Sequence, residues 1–144
     1  MPHFPTVRKF APMNSKLHTA LRIAFALFLI GSGAKHLYTV YAGDPTVMAT
    51  GYPEEGATAF VLAVLATKFL LPFICTTKLA AGALLLLPKC EPLGALVAFP
   101  YSVGMLMWGV FIVPSHLLIM GGIFAVNAAL VVANWEVYKP LIGK

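Results

Sequence analysis

Five polar residues stand in or beside long apolar stretches of the sequence: Lys78, Tyr101, Ser102, His36 and His116. An ammonium group inside an apolar run can bind an anion or a quinone oxygen, or take part in a proton relay. Hydroxyl and imidazole groups can supply further hydrogen bonds to such a ligand. These residue types therefore indicate candidate binding positions for a quinone or a lipid head group.

A structural role for the same residues is the favoured interpretation. The Lys78 ammonium can pair with polar groups at similar depth, such as Ser32 and Asn127, with a partner chain or with a lipid phosphate. His36 and His116 suit a membrane interface, where such side chains extend toward water. The two histidines lack an acid or thiol beside them, so they are a weak metal signal. Without a nucleophile and base pair or paired carboxylates, the sequence predicts no catalytic residue.

The composition indicates that the chain is surrounded mainly by lipid and not by water. Of its 144 residues, 60% are apolar and 10% are charged, whereas soluble domains are near 45–50% apolar and 25% charged. The formal net charge of +5 comes from residues at the ends of apolar segments. That placement indicates membrane topology and contact with anionic lipid, and it argues against nucleic acid as a partner.

The apolar segments are long enough for membrane-spanning helices, which need about 20 residues. The predicted bundle covers residues 17–138, with spans at about 17–41, 72–87, 93–113 and 117–137. Because a proline inside a helix removes a hydrogen bond, Pro72 is expected to divide the long run at 57–87, which leaves 57–71 as an interfacial helix. Residues 1–16 are predicted to form an extended basic arm that is retained, and 139–144 a short tail. The predicted fold class is all-α, a polytopic membrane four-helix bundle with one additional interfacial helix.

Charge patterning gives an independent check on the number of spans. Four spans place the basic arm, Lys89 and the basic tail on one side, and Asp44, Glu54 and Glu55 on the other. Since basic residues stay on the cytoplasmic side, both termini are expected on the cytoplasmic or matrix side. A bacterial cytoplasmic membrane and a mitochondrial inner membrane both fit this prediction.

The order of these features resembles the DoxX-like family of small four-helix membrane proteins, over about residues 21–132. The residues that carry the resemblance are Arg22-Ile23-Ala24, Gly31-Ser32-Gly33-Ala34-Lys35, Phe60 through Pro72, Lys78-Leu79-Ala80-Ala81-Gly82, Leu84 to Leu87, Pro92-Leu93 and Pro100. The family often has an acid in the second span, four residues before a glycine, where this sequence has Lys78 before Gly82. In the third span it often has a polar residue and a histidine after a proline, where this sequence has Gly104 and Gly109 after Pro100. The resemblance therefore implies that a family site dependent on those groups has been lost.

Family resemblance leaves several functions open, because relatives include quinone-linked oxidoreductase subunits, receptor-assembly chaperones and cargo receptors. The leading hypothesis is a non-catalytic accessory subunit of a larger membrane protein complex, of the respiratory or photosynthetic electron-transport type. The first alternative is a quinone-interacting oxidoreductase subunit that uses Lys78, Tyr101 and His36. The second is a membrane chaperone or cargo receptor. Expected partners are other membrane subunits and lipids, with a bound lipid or quinone as the conceivable cofactor.

Overall fold

A computed structural model describes residues 14–143, and within that range every regular element is a helix. The α-helices are α1 (Ser15–Ala42), α2 (Glu55–Ala66), α3 (Leu70–Leu86), α4 (Glu91–Phe111), α5 (Leu117–Ala133) and α6 (Trp135–Ile142). Short 3-10 helices cover Pro45–Ala49 and Pro114–His116. The predicted all-α class is thus confirmed. Most of the predicted basic arm, residues 1–13, lies outside the described residues.

Three of the described helical segments are long and apolar enough to cross a membrane. These are α1, α4, and α5 together with the turn that precedes it, Pro114–Ala133. The pair formed by α2 and α3 passes the same test jointly, but its two helices are bent by 89° relative to one another. With 17 residues, α3 alone rises by about 25 Å. The count is therefore three spans, or four if the bent pair makes one crossing.

The break between α2 and α3 differs in position from the one predicted at Pro72. It lies at residues 67–69, where Lys68 has a φ of 61°, a left-handed conformation that is uncommon for a lysine. The Thr67 hydroxyl accepts a hydrogen bond from Leu70 N at 3.1 Å and so satisfies a free amide at the start of α3. Pro72 lies in the first turn of α3, where a proline is tolerated because the amides there lack helical acceptors.

The long helices pack in the order α1, α3, α4, α5, and α5 also touches α1. Buried apolar side chains from all four meet in one core that includes Phe25, Leu29, Leu85 and Leu130. A Cβ added at Gly82 would lie 2.9 Å from Ala26 O on α1. Small residues at such crossings let membrane helices approach closely, and this one holds α3 against α1.

Side-chain caps define several helix ends. Asn14 Oδ1 accepts from Lys16 N at 3.0 Å at the start of α1, which satisfies a free amide of the first turn. At the other end of the chain the last predicted span ran to residue 137, but α5 ends at Ala133 and α6 begins at Trp135. Asn134 occupies the turn, and its Nδ2 donates to Leu130 O at 2.9 Å. This side-chain bond adds a donor for a carbonyl of the last turn of α5, where carbonyls lack helical partners.

Candidate functional site

Lys78 lies on α3 and is 2% exposed. Its Nζ lies 5.0 Å from the centroid of the Tyr101 ring on α4, a distance at which the ring face attracts a cation. Among residues 14–143, no side chain or carbonyl forms a hydrogen bond or ion pair with this ammonium. Two of the predicted site residues are therefore adjacent, and the lysine has an aromatic neighbour in place of an anion.

Ser102, next to Tyr101 in sequence, belongs to a different contact. Its Oγ accepts a hydrogen bond from Asn127 Nδ2 of α5 at 2.8 Å and donates to Phe99 O at 2.9 Å. Both side chains are fully buried. Ser32, predicted at the same depth, instead donates to Phe28 O of its own helix. The polar groups expected around Lys78 thus join α4 to α5, and they form no hydrogen bond with the Lys78 ammonium.

Replacing Ser102 by Ala is expected to destabilise the protein by about 0.6–1.7 kcal/mol, the range for interhelical hydrogen bonds in membranes. The loss arises because the Asn127 amide would remain buried without an acceptor. Reversible unfolding in mixed micelles measures it, combined with Asn127→Leu and the double variant as a cycle. Strictly additive single effects would show that the pair contributes no coupling energy.

A groove of about 510 Å³ lies beside Tyr101 on the side wall of the bundle. Its walls come from α2, α3 and α4 and are largely aromatic or sulfur-containing, with Phe60, Phe73, Tyr101, Met105, Trp108 and Phe111 among them. Thr77, the residue before Lys78, also lines it. The volume falls in the range of about 300–1,000 Å³ that is typical of small-molecule sites. The bulky residues of the third predicted span thus form one wall of a cavity in addition to packing.

The two histidines of the predicted site lie in different surroundings. His36 is half-buried on α1, whereas His116 ends the short helix before α5. The His116 ring packs edge-on against Tyr52, with ring centroids 5.8 Å apart, and Tyr52 packs likewise against Trp108 at 5.7 Å. Within the described part of the chain, no hydrogen bond or ring contact joins His36 to His116. The five predicted residues therefore do not form one site.

Next to His116, one hydrogen bond joins the loop between α1 and α2 to the loop between α4 and α5. Ser115 N donates to Glu54 Oε1 at 3.0 Å. Desolvation works against ionisation of this carboxyl, but the hydrogen bonds from Ser115 prevail and hold the pKa of Glu54 below its ordinary value. The hydrogen bond between Glu54 and Ser115 lies beside the contact of Tyr52 with His116 and holds the two loops together at this end of the bundle.

Because its folded-state pKa is lowered, Glu54 is expected to stabilise the fold above the ordinary pKa of glutamate, about 4.3. That contribution is lost as the pH falls through the folded-state pKa. Unfolding temperatures of the native chain and of Glu54→Gln should therefore differ at neutral pH and converge in acid. Glu55→Gln, at an exposed neighbouring position, serves as the control. A difference that is constant with pH would contradict the assignment.

At the opposite end of the bundle, a buried ionic cluster joins four helices. Arg22 of α1 lies with its Nε 3.7 Å from Glu91 Oε2 of α4, and its Nη1 donates to Leu85 O of α3 at 3.1 Å. Glu91 Oε1 also lies 2.7 Å from His18 Nε2 and accepts from Asn134 Nδ2 at 2.8 Å. Arg22 and Glu91 are 8% and 7% exposed, so the pair is held away from water.

Tyr138 extends this cluster to α6. Its hydroxyl donates to Pro92 O at the start of α4. Burial, and then the charge of Glu91, raise the pKa of this phenol. The cluster therefore connects every helix at this end of the bundle, and none of its members was among the predicted site residues.

Within residues 14–143, no group of three or more histidine, cysteine or acidic side chains could hold a metal ion. The cysteines Cys75 and Cys90 are both free thiols. No protein-family model, curated protein or solved structure matches this chain. The DoxX-like resemblance therefore stays a prediction from the sequence.

Proposed function

We propose that this chain is a non-catalytic structural subunit of a larger membrane protein complex. The observation that carries the proposal is the environment of α5. Of the three single candidate spans, the segment containing α5 is the most apolar, yet 11% of its apolar window is buried inside the protein, against 28% for α1 and α4. A helix with so few buried residues presents most of its surface to lipid or to another subunit.

Small residues on the outer face of α5 favour another subunit as the neighbour. The small residues Gly122, Ala125 and Ala129 recur at helical spacing after the exposed Leu118, so the four share one side of the helix. Leu118 is 93% exposed, and a Cβ added at Gly122 would meet nothing within 4 Å. Because small residues let helices approach closely within a membrane, this face is suited to receive a helix from a partner.

The two ends of the bundle support a scaffolding role. The ionic cluster around Glu91 fixes the helices at one end, and the bond between Glu54 and Ser115 fixes two loops at the other. A bundle clamped at both ends can hold partner subunits at a fixed spacing. An electron-transport complex is the class of host that we propose, on the DoxX-like resemblance alone.

The test uses the full-length chain in its native membrane, extracted in mild detergent and sized by native electrophoresis. The native chain and Gly31→Leu, a control at an open position on α1, should migrate in a particle larger than one chain. Gly122→Leu should be released from that particle. A native chain that extracts as a stable monomer without co-purifying subunits would refute the proposal.

The second candidate is a quinone-interacting oxidoreductase subunit, which the groove beside Tyr101 and Lys78 favours. In that case, Lys78→Met should abolish quinone-dependent turnover while the complex stays assembled. A structural subunit predicts unchanged turnover of the host complex in the same variant. Activity measurements on the assembled complex distinguish the two functions.

A further inference from the structure

The last described helix, α6, has an apolar side and a polar side. At about 3.6 residues per turn, its apolar side consists of Trp135, Val137, Tyr138 and Leu141, and its polar side includes Glu136 and Lys139. Glu136 and Lys139 form an ion pair with each other. A helix with two such sides is suited to a boundary between an apolar and an aqueous environment.

The bundle covers only part of the apolar side of α6. Among the described side chains of this helix, that of Tyr138 alone is buried, and its hydroxyl donates to Pro92 O of α4. Trp135 and Val137 are exposed, and Leu141 is 80% exposed. Neighbouring exposed apolar residues beside a polar rim mark a contact with a membrane or another protein. The apolar side of α6 therefore fits an apolar environment outside the bundle.

The position of α6 places this side at the edge of the membrane. The helix follows directly after the candidate span Pro114–Ala133, and Tyr138 binds Pro92 at the start of the candidate span Glu91–Phe111. Tryptophan and tyrosine are enriched at this level of membrane proteins. With eight residues, α6 rises by about 12 Å and is too short to cross the hydrocarbon. It is suited instead to the boundary between head groups and acyl chains.

The exposed charges that remain unpaired at this end of the bundle are positive. Glu91 is buried in the ionic cluster, and Glu136 is paired with Lys139. Lys16 and Lys89 are exposed, and no residue within 14–143 forms an ion pair with either. Both lysines closely precede a member of the ionic cluster in the sequence, so they lie at the same end as α6. Lysines beside a membrane surface attract anionic head groups.

We propose that α6, together with Lys16 and Lys89, binds the anionic phospholipids of one membrane leaflet. The lysines pair with phosphate groups, and the apolar side of α6 enters the boundary between head groups and acyl chains. Large exposed side chains such as Trp135 and Leu141 are typical of helices that lie in this boundary. This contact requires no partner subunit, so it is independent of the proposed structural function.

The two tryptophans of the chain report on the lipid at the two ends of the bundle. Trp108→Phe leaves Trp135 on α6 as the fluorophore. Trp135→Phe leaves Trp108, which packs against Tyr52 at the opposite end. Each variant of the full-length chain is reconstituted in phosphatidylcholine vesicles. The probe is phosphatidylglycerol or phosphatidylcholine with bromine atoms on the acyl chains, which quench tryptophan on contact.

Brominated phosphatidylglycerol should quench Trp135 as though it bound about fivefold more tightly than brominated phosphatidylcholine, the factor that one lysine contributes near an anionic surface. The quenching of Trp108 should not distinguish the two lipids. Equal quenching of Trp135 by both lipids would overturn the proposal.

Lys16→Met combined with Lys89→Met tests the charged part of the surface. The preference for phosphatidylglycerol at Trp135 should disappear in this variant, whereas Lys35→Met, at an exposed position further along α1, should leave it unchanged. Added salt should also weaken the preference, because ions screen exposed charges. A preference that survives the double substitution would refute the assignment.

Leu141→Gln tests the apolar part of the surface, and Glu136→Gln introduces the same side chain on the polar side of α6 as a matched control. Leu141→Gln should reduce the quenching of Trp135 by both brominated lipids and increase its quenching by acrylamide, which is dissolved in the water. Glu136→Gln should leave the access of acrylamide unchanged. Equal effects of the two substitutions would contradict the contact between this side and lipid.

Crosslinking in the native membrane separates lipid from a partner subunit as the neighbour of α6. A photoreactive benzophenone amino acid in place of Leu141 should form adducts with phospholipid. Adducts with another protein in place of phospholipid would assign the apolar side of α6 to a subunit interface and overturn the proposal.

Discussion

Replacing Arg22 by Met is expected to destabilise the folded protein by about 3–5 kcal/mol, because removing one partner of a buried ion pair leaves the other charge buried without compensation. In this protein the remaining charge is Glu91, which would keep His18 and Asn134 as neighbours but lose its cation from α1. The same change removes the hydrogen bond to Leu85 O on α3. Reversible unfolding in mixed micelles measures the loss, and Lys16→Met, at an exposed position on the same helix, is the control.

The double variant Arg22→Met with Glu91→Leu separates the cost of an unpaired charge from the value of the pair. Replacing both members of a buried pair by apolar residues is often close to neutral. We therefore expect the double variant to recover most of the stability that Arg22→Met loses. An Arg22→Met protein as stable as the native chain would mean that water reaches Glu91 and that the cluster does not clamp the helices.

The second large effect is expected at Gly94, where α4 begins against the end of α3. A Cβ added there would lie 2.8 Å from Leu85 N and 3.0 Å from Ala81 O. Both are backbone atoms, so the two helices must separate to admit a methyl group. Gly94→Ala should destabilise the protein by about 1–3 kcal/mol, the usual cost of overpacking.

Gly104→Ala is the matched control on the same helix. Its added Cβ meets no atom within 4 Å, so the substitution should be neutral or stabilising by up to about 1 kcal/mol through helix propensity. Unfolding of both variants under the same conditions gives the comparison. Equal effects of the two substitutions would contradict the close approach of α3 and α4 at Gly94.

The helical class followed from the sequence because apolar runs of 20 or more residues leave few alternatives. The break before α3 was placed incorrectly because Pro72 is the strongest helix breaker in that stretch, yet a proline in a first helical turn breaks nothing. The residue types around Lys68 do not indicate the break that occurs there, where the φ of Lys68 is 61°. It depends on how α2 and α3 pack, which a single sequence does not contain.

The candidate site was predictable in part, from depth along the spans. The sequence placed Ser32 and Asn127 at the depth of Lys78, whereas the structure pairs Lys78 with Tyr101 and Asn127 with Ser102. Depth alone could not tell which polar group faces which, because that depends on the rotation of each helix about its axis. For this reason the predicted layer around Lys78 separates into two independent contacts.

The ionic cluster was missed although the sequence held a signal for it. Arg22 was named only among the residues that carry the DoxX-like resemblance, and Glu91 was given no role. Four spans place both at the same end of the bundle, and each lies next to an apolar run. A basic and an acidic residue so placed are candidates for a buried pair, and that reasoning would have identified them.

The membrane topology underlies every proposal above, and labelling of single cysteines tests it most directly. In a background in which Cys75 and Cys90 are replaced by Ser, Lys89→Cys and Glu55→Cys introduce thiols at exposed positions at opposite ends of α3 and α2. An impermeant thiol reagent applied to sealed vesicles of either orientation should reach one of the two thiols in each case and never both. Labelling of both thiols from the same side would contradict a single crossing by the bent pair, and with it the four-span bundle.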